Sequence, residues 1–343
     1  MQASAEPIRE LHGVTPSDLG GELLGSTEPL VLRGLLARWP AVQAGCNGVD
    51  SIARAASADA YLRRFCRDAT VIAMLGSPDI GGRVFYNEDL SGFNFSSVHT
   101  RLDHVLMELA RQRDNPNSPA IYVGSTTVDT ALPGYSDENA LAMVPRDALM
   151  SIWIGNQVRI PAHYDLPDNL ACVTAGRRRF TLFPPDQLEN LYVGPLDFTP
   201  AGQPISLVDL HHPDIERFPR FGEAMRHAQS AELAPGDAIF IPSMWWHHVE
   251  ALECFNVLVN YWWRQSPAFM DTPANALMLS LLSIRDLPPA QRRAWQEIFR
   301  HYVFEADEQT AAHIPKSARR VLGAIDDNSA RMLRAQLLKK INR

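Results

Sequence analysis

The chain has 343 residues, of which 46% are apolar and 21% charged, and its formal net charge at pH 7 is −7. These values are typical of a soluble globular protein, long enough for one large domain with appendages or for two merged domains. No apolar run reaches the ~18 residues that a membrane-spanning helix needs, and only the last fifteen residues are dense in lysine and arginine. The sequence therefore argues against a membrane protein and against nucleic acid as a partner.

The N-terminal residues and the cysteines bear on the cellular location. The opening residues, MQASAEPIRE, lack the basic and then apolar pattern of a secretory signal. The four cysteines are scattered, without the short paired spacing of a zinc site or of a disulfide framework. We expect free thiols and a cytoplasmic protein.

Residues 1–118 are predicted to form an α/β elaboration at the N-terminus. Residues 28–42 indicate a strand, a turn and a short helical piece that stops at a Trp-Pro pair. Apolar residues recur at helical spacing in residues 51–66 and again in residues 100–113. Between these two predicted helices, the continuous apolar run 69–75 is typical of a strand.

The segment 119–266 changes character to short apolar runs separated by Pro, Gly, Asn and Asp. Many short strands joined by turns predict an antiparallel barrel or jelly roll. Residues 186–232 interrupt the pattern with a polar, proline-rich stretch, which we expect to lie as an insertion over one mouth of the barrel. Residues 267–343 return to helical spacing and form a predicted C-terminal helical segment.

The predicted C-terminal helices have apolar faces that a barrel closed on itself leaves uncovered. Two arrangements would bury them: a homodimer through these helices, or packing of the helices against the barrel of the same chain. The homodimer is the arrangement we expect. The apolar faces include Leu281, Trp295, Phe299, Leu333 and Leu337.

Two histidines and an aspartate form a candidate metal site. His163 and Asp165 are two residues apart at a predicted strand end, so both side chains point to one face. Two imidazoles and one carboxylate are the ligand set of non-haem Fe(II) oxygenases, which leaves three metal positions open. The second imidazole comes from the pair His247 and His248, and only one of these neighbours can share the metal-facing side of a strand.

The spacing around these tandem histidines resembles the second cupin motif. Gly236 is followed by Pro242 and then His247, and Met244 stands where that motif usually has glycine. Together with PAHYD, FPPDQ, ERFP, PGD, WWHH and VN, the sequence over roughly residues 120–265 resembles the cupin-like JmjC oxygenases, and the asparaginyl hydroxylases among them in particular. The resemblance implies a mainly β fold with flanking helices, whose core is a double-stranded β-helix.

The resemblance also implies an Fe(II) centre with 2-oxoglutarate as cosubstrate. Its metal ligands fall on His163, Asp165 and His247. In these enzymes a basic side chain inside the barrel, usually lysine, holds the distal carboxylate of 2-oxoglutarate. The matching position here is Arg178, which shares strand parity with the apolar Phe180 and can grip a carboxylate with two hydrogen bonds.

Three further residues match the cosubstrate pocket of the family. Tyr122 matches a tyrosine that hydrogen-bonds the distal carboxylate, and Asn169 and Asn260 match asparagines that line the iron pocket. From the residues alone, Tyr122 also fits a core aromatic and Asn260 a local turn. Ile160 replaces a threonine of the family, so one hydrogen bond to the cosubstrate is expected to be missing or replaced.

These residues predict an Fe(II)- and 2-oxoglutarate-dependent dioxygenase that hydroxylates a protein or peptide side chain, with a small molecule as the other substrate class. Two alternatives stay open. One is a cupin enzyme that uses the same ligands without 2-oxoglutarate, and the other is a non-catalytic binding module stabilised by the metal. The sequence does not identify the hydroxylated residue, because many substrate classes share this fold and ligand set.

Overall fold

The computed structural model describes residues 5–142 and 144–342, and the chain divides into two units, Met1–Gln265 and Ser266–Arg343. The strands all lie in the larger unit, while the smaller unit is helical. The strands are β1 (Glu6–Pro7), β2 (Glu10–His12), β3 (Leu30–Arg33), β4 (Thr70–Gly76), β5 (Phe95–Arg101), β6 (Ala120–Thr127), β7 (Leu149–Gly155), β8 (Arg159–His163), β9 (Asp168–Ala175), β10 (Arg178–Phe183), β11 (Gln229–Leu233), β12 (Ala238–Ile241), β13 (Trp246–Ala251) and β14 (Asn256–Trp263). The α-helices are α1 (Gly21–Leu24), α2 (Pro40–Cys46), α3 (Ser51–Arg63), α4 (Leu102–Gln112), α5 (Val128–Ala131), α6 (Tyr135–Glu138), α7 (Phe221–Arg226), α8 (Pro273–Ser283), α9 (Pro289–Phe299) and α10 (Asp327–Ile341).

Two sheets form the body of the larger unit. Across the described residues, the smaller sheet has the order β1-β11-β10-β13-β8 and the larger one the order β2-β3-β12-β9-β14-β7-β6-β4-β5. Strands of both sheets contribute to one apolar cluster, in which Phe180 and Val249 of the smaller sheet lie with Ala171 and Leu258 of the larger. The predicted mainly β fold with flanking helices is confirmed.

The central strand β9 is buried along its whole length, and its two faces have different neighbours. Leu170 and Cys172 belong to the large core shared with α2 and α3, whereas Ala171 and Val173 belong to the cluster between the sheets. A strand covered on both faces needs apolar residues at consecutive positions, not at alternate ones. This explains the continuous apolar runs from which the barrel was predicted.

Two details of the N-terminal part differ from the sequence prediction. Pro40 does not stop a helix but begins α2, a position that suits proline because the first helical N–H has no partner within the helix. Phe95–Arg101 forms β5, an edge strand that pairs with β4. The sequence did not predict β5, because its residues, FSSVHTR, are mostly polar and lack apolar alternation.

The insertion 186–232 returns to the edge of the smaller sheet. Ile205 forms a bridge with His163 at the end of β8, and Ser206 forms one with Val193 within the insertion. The Ser206 N–H also donates to the carbonyl of Ala162 at 2.8 Å. The insertion is therefore joined directly to β8, the strand that ends in the candidate metal ligand His163.

The unit from residue 266 to 343 buries few apolar side chains. Ala311 and Ala330 are buried there, whereas Leu282 is 80% exposed and Phe304 77% exposed.

No helix in the described ranges combines the length and the hydropathy needed to cross a bilayer. The predicted boundaries at residues 118/119 and 266/267 stay predictions.

Candidate functional site

Three predicted metal ligands meet between the two sheets. The antiparallel strands β8 and β13 place His163 directly opposite His247, with their ring centroids 4.2 Å apart. Asp165 follows the end of β8, and its Oδ2 lies 3.5 Å from Nε2 of His247. One potential ligand atom from each of the three residues lies within 4.8 Å of the other two. The fold thus collects two imidazoles and one carboxylate at one point.

Both imidazoles are oriented by a backbone carbonyl two residues earlier in the chain. Nδ1 of His163 lies 2.9 Å from the oxygen of Pro161, and Nδ1 of His247 lies 3.0 Å from the oxygen of Trp245. Because a carbonyl oxygen can only accept a hydrogen bond, each Nδ1 carries the proton. In its neutral form, each imidazole then has on Nε2 the lone pair that a metal requires.

The electrostatics of the cluster suit a divalent cation. Burial, with a smaller contribution from the charge of His247, lowers the pKa of His163 to about 4. Burial acts to raise the pKa of Asp165, but the hydrogen bond and the charges of the two histidines outweigh it and lower that pKa. At neutral pH His163 is therefore a neutral imidazole and Asp165 a carboxylate, the protonation states in which both can bind a metal.

His248 lies on the opposite face of β13. Its Nε2 is 3.4 Å from Oε1 of Glu250, whose other oxygen lies 2.7 Å from Nε2 of His211 in the insertion. Burial lowers the pKa of His248. The structure therefore brings His247, and not His248, to the candidate metal ligands.

A cavity of about 630 Å³ opens beside the three ligands, and Arg178 lies in its wall. Arg178 is 2% exposed, and the Nε and Nη2 atoms of its guanidinium have no hydrogen-bond partner among the described residues. Its neighbours Arg177 and Arg179 point outward and form ion pairs with Glu232. Buried charged donors without acceptors are costly, and these two nitrogens are free to bind an anion that enters the cavity.

Tyr122 also lines the cavity, and the positive charge of Arg178 acts on its hydroxyl group. Burial raises the pKa of Tyr122 far above its usual value, and the charge of Arg178 only partly opposes this. The hydroxyl is therefore neutral at physiological pH. It can donate a hydrogen bond to an anion held by Arg178.

Asn169 and Asn260 line the same cavity from the larger sheet. The Oδ1 of Asn260 accepts a hydrogen bond from Nε1 of Trp153 at 2.9 Å, and the Trp153 ring stacks on Tyr122 at a centroid distance of 6.0 Å. The Oδ1 of Asn169 is buried and has no partner in the described part of the chain. Asn260 therefore orients an aromatic wall, while Asn169 offers an acceptor to a ligand.

Sequence reasoning missed two tryptophans of this wall. Trp153 and Trp262 line the cavity and contact each other edge to face, with a centroid distance of 5.8 Å. Each lies in a strand among apolar neighbours, a pattern that also fits an ordinary core aromatic. Only the register of β7 and β14 shows that both rings reach the cavity.

The remaining lining of the cavity is largely uncharged. Ile160 contributes an apolar surface. Hydroxyl-bearing residues and residues of the insertion also line the cavity. These are Thr70, Ser125, Thr126, Thr127 and Thr130, together with Pro200, Ala201, Gln203 and Ile205.

Comparison with known proteins identifies the family. Residues 16–269 match the family described as Cupin-like domain, and this range includes every candidate site residue. The chain belongs to the cupin-like domain family. This confirms the resemblance on which the sequence interpretation rests.

Several curated proteins are similar to parts of this cupin-like chain. The lysine-specific demethylase JMJ31 of Arabidopsis thaliana is 31% identical over 150 residues, which cover 42% of this chain and 26% of that protein. Human HSPB1-associated protein 1 is 36% identical over 114 residues, covering 33% and 23%. The tRNA wybutosine-synthesizing protein 5 of Danio rerio is 36% identical over 106 residues, covering 31% and 29%. The cupin-like chain thus matches only about a quarter of the length of these relatives.

Proposed function

We propose that the protein is an Fe(II)- and 2-oxoglutarate-dependent dioxygenase that hydroxylates a protein or peptide side chain. One observation carries the proposal. The cavity that contains the candidate ligands His163, Asp165 and His247 also contains Arg178, a buried cation with two unpaired donor nitrogens. A metal site and an anion-binding position in one cavity match a cosubstrate that chelates iron at one end and carries a carboxylate at the other.

The donor set fits Fe(II). His163, Asp165 and His247 would hold the ion beside the cavity, and two imidazoles with one carboxylate are the ligand set of non-haem Fe(II) sites that leave metal positions open. When bound, iron supplies the chemistry that splits O₂ between 2-oxoglutarate, which becomes succinate and carbon dioxide, and the hydroxylated substrate. The role of the chain is to hold both partners and to keep bulk water from the reacting atoms.

The cavity residues also fit 2-oxoglutarate. Arg178 would form two hydrogen bonds with the distal carboxylate, and Tyr122 would donate a third to the same group. The stacked ring of Trp153 would cover the methylene carbons. Ile160 provides no hydroxyl group, so Arg178 carries more of the carboxylate recognition than the smaller ammonium group of lysine would.

The Arg178 position argues against the two alternatives. A cupin enzyme that does not use 2-oxoglutarate, or a binding module that only needs a structural metal, has no use for a buried guanidinium facing the metal site.

The names of the similar proteins point to more than one substrate class. Two of these names refer to lysine or to a protein partner, and a third refers to tRNA. The net charge of −7 favours a protein or peptide substrate over RNA.

We also propose that the chain forms a homodimer through its C-terminal helices and resides in the cytoplasm. Large apolar side chains of α8, α9 and α10 are exposed in the single chain, among them Leu282, Trp295 and Leu338. A second copy related by a two-fold axis would cover them, because such an interface brings the same face of both copies together. The described cysteines are all free, which suits a reducing compartment.

The proposal is tested by turnover on candidate substrates. Purified protein loaded with Fe(II) is incubated with 2-oxoglutarate and a peptide digest of a cell lysate, and modified peptides are identified by mass spectrometry. Incorporation of one oxygen atom, dependent on iron and on 2-oxoglutarate, is the expected result. Loss of a methyl group from a peptide would change the proposed reaction to demethylation, and the absence of any modified peptide would contradict a protein or peptide substrate.

A further inference from the structure

The two loops that carry candidate metal ligands are hydrogen-bonded to each other. One loop follows β8 and contains Asp165, and the other is the turn from Pro242 to Trp245 that leads into His247. The N–H of Met244 donates to the carbonyl oxygen of Asp165 at 2.9 Å. The hydroxyl of Ser243 donates to the carbonyl oxygen of Leu166 at 2.6 Å. These bonds set the separation between the two loops.

Asp168 adds a third connection, and it does so from a buried position. The residue is 5% exposed and begins β9. Its Oδ1 accepts a hydrogen bond from the N–H of Ser243 at 2.9 Å, and its Oδ2 accepts one from Nε2 of Gln265 at 2.8 Å. One carboxylate thus joins the ligand loop, the turn before His247 and the chain beyond β14. Asp168 does not itself line the cavity.

The turn that Asp168 holds is under backbone strain. Trp245 closes it with a hydrogen bond from its N–H to the carbonyl oxygen of Pro242, and Met244 has a φ of 69°. This left-handed conformation is unfavourable for a side chain such as methionine, so contacts outside the turn must maintain it. If the turn relaxed, His247 would move relative to Asp165.

We infer that Asp168 is a positioning residue, which holds the loops of Asp165 and His247 at metal-binding separation before a metal binds. The inference rests on the proposed metal centre. Gln265 fixes the carboxylate through Oδ2, and Oδ1 is thereby aimed at Ser243. Groups that orient metal ligands in this way commonly change metal affinity about 10- to 100-fold when they are removed.

The test uses Co(II) as the metal, because its visible spectrum reports the geometry of its ligands. Wild type, Asp168→Ala, Asp168→Asn and Gln265→Glu are titrated with Co(II), and the Tm of each metal-free protein is measured. We expect Asp168→Ala to weaken binding about tenfold or more and to change the spectrum. Gln265→Glu places two carboxylates face to face and should also weaken binding. The double variant Asp168→Asn/Gln265→Glu restores both hydrogen bonds with the charge exchanged, and should recover affinity.

Asp237→Ala is the matched control. Asp237 also accepts backbone hydrogen bonds, from Gly34 at 2.9 Å and Ala234 at 3.1 Å, but it joins loops that carry no candidate ligand. The Asp237→Ala variant should have a lower Tm than wild type, with an unchanged Co(II) affinity and spectrum. Equal binding by Asp168→Ala and wild type, or equal weakening by Asp168→Ala and Asp237→Ala, would overturn the inference. If wild type itself bound no Co(II), the proposed metal centre would fail instead.

Discussion

His247 and His248 are neighbours in the chain, yet their side chains lie on opposite faces of β13. His247 faces His163 across the strand pair, whereas His248 faces Glu250 at 3.4 Å. Strand geometry makes this separation unavoidable, since successive side chains point to opposite faces. The two histidines therefore have different roles, and substitution can separate them.

We predict that His247→Ala abolishes high-affinity Fe(II) binding, whereas His248→Gln leaves the iron dissociation constant within a few-fold of wild type. His247 offers its Nε2 to the metal, while His248 only completes a buried polar cluster. Anaerobic calorimetric titration with Fe(II) measures both. The opposite pattern, with iron lost in the His248 variant only, would show that the proposed ligand set is wrong.

A second prediction concerns 2-oxoglutarate. Arg178→Ala should weaken its binding by roughly 2–5 kcal/mol, about thirty-fold or more, because the distal carboxylate would lose its charged partner in a buried site. Arg178→Lys should recover part of the loss. Iron affinity should not change, because the metal ligands are untouched. Binding is measured by titrating 2-oxoglutarate into the metal-loaded protein.

Arg177→Ala is the control for this series, because the Arg177 side chain is 52% exposed and pairs with Glu232 and Glu253. It should bind 2-oxoglutarate like wild type. Weaker 2-oxoglutarate binding by Arg177→Ala, together with normal binding by Arg178→Ala, would contradict the assignment of Arg178 as the inward arginine. If neither change weakened binding, the distal carboxylate would not be held by Arg178, and if wild type bound no 2-oxoglutarate, it would not be the cosubstrate.

The strained turn before His247 predicts an unusual gain in stability. Met244 has a φ of 69°, a conformation that costs an ordinary residue about 1–2 kcal/mol. Asparagine tolerates it better, so Met244→Asn should raise the free energy of unfolding by up to ~1 kcal/mol, measured by urea denaturation. Met244→Val should lower it. A lower free energy of unfolding for Met244→Asn would mean that contacts of the Met244 side chain stabilise the fold by more than its left-handed backbone destabilises it.

The assembly prediction depends on the exposed apolar residues of the C-terminal helical unit. Wild type should have the mass of a dimer in light scattering at micromolar concentration, and Leu282→Glu/Phe304→Glu should convert it to a monomer. Val49→Glu is the control, because Val49 is 96% exposed but lies outside that unit. A monomeric mass for wild type would rule out the homodimer.

The sequence predicted those parts of the protein that depend on local pattern. The buried runs of β9 and β14 indicated strands, and the spacing of His163 and Asp165 placed both on one face. The parity of Arg178 with Phe180 indicated its inward direction, and both residues do line the cavity. In each case a few neighbouring residues carry the information.

Features that depend on distant contacts could not be predicted in the same way. From the sequence alone, Trp153 is interpreted as a core aromatic, because its contacts with Tyr122 and Asn260 depend on residues that are distant in the chain. Asp168 reads as a polar residue near a turn, because its partners Ser243 and Gln265 lie far along the chain. No short-range periodicity encodes such partners.

The most direct test of the whole account is succinate release from 2-oxoglutarate under air. Purified protein with Fe(II) and 2-oxoglutarate should form succinate above a metal-free control, and a substrate-containing peptide digest should increase the rate. His163→Ala and Arg178→Ala should each reduce the release to the background, through loss of iron and of cosubstrate respectively. A protein shown to bind iron that forms no succinate, with or without the digest, would contradict the proposed dioxygenase.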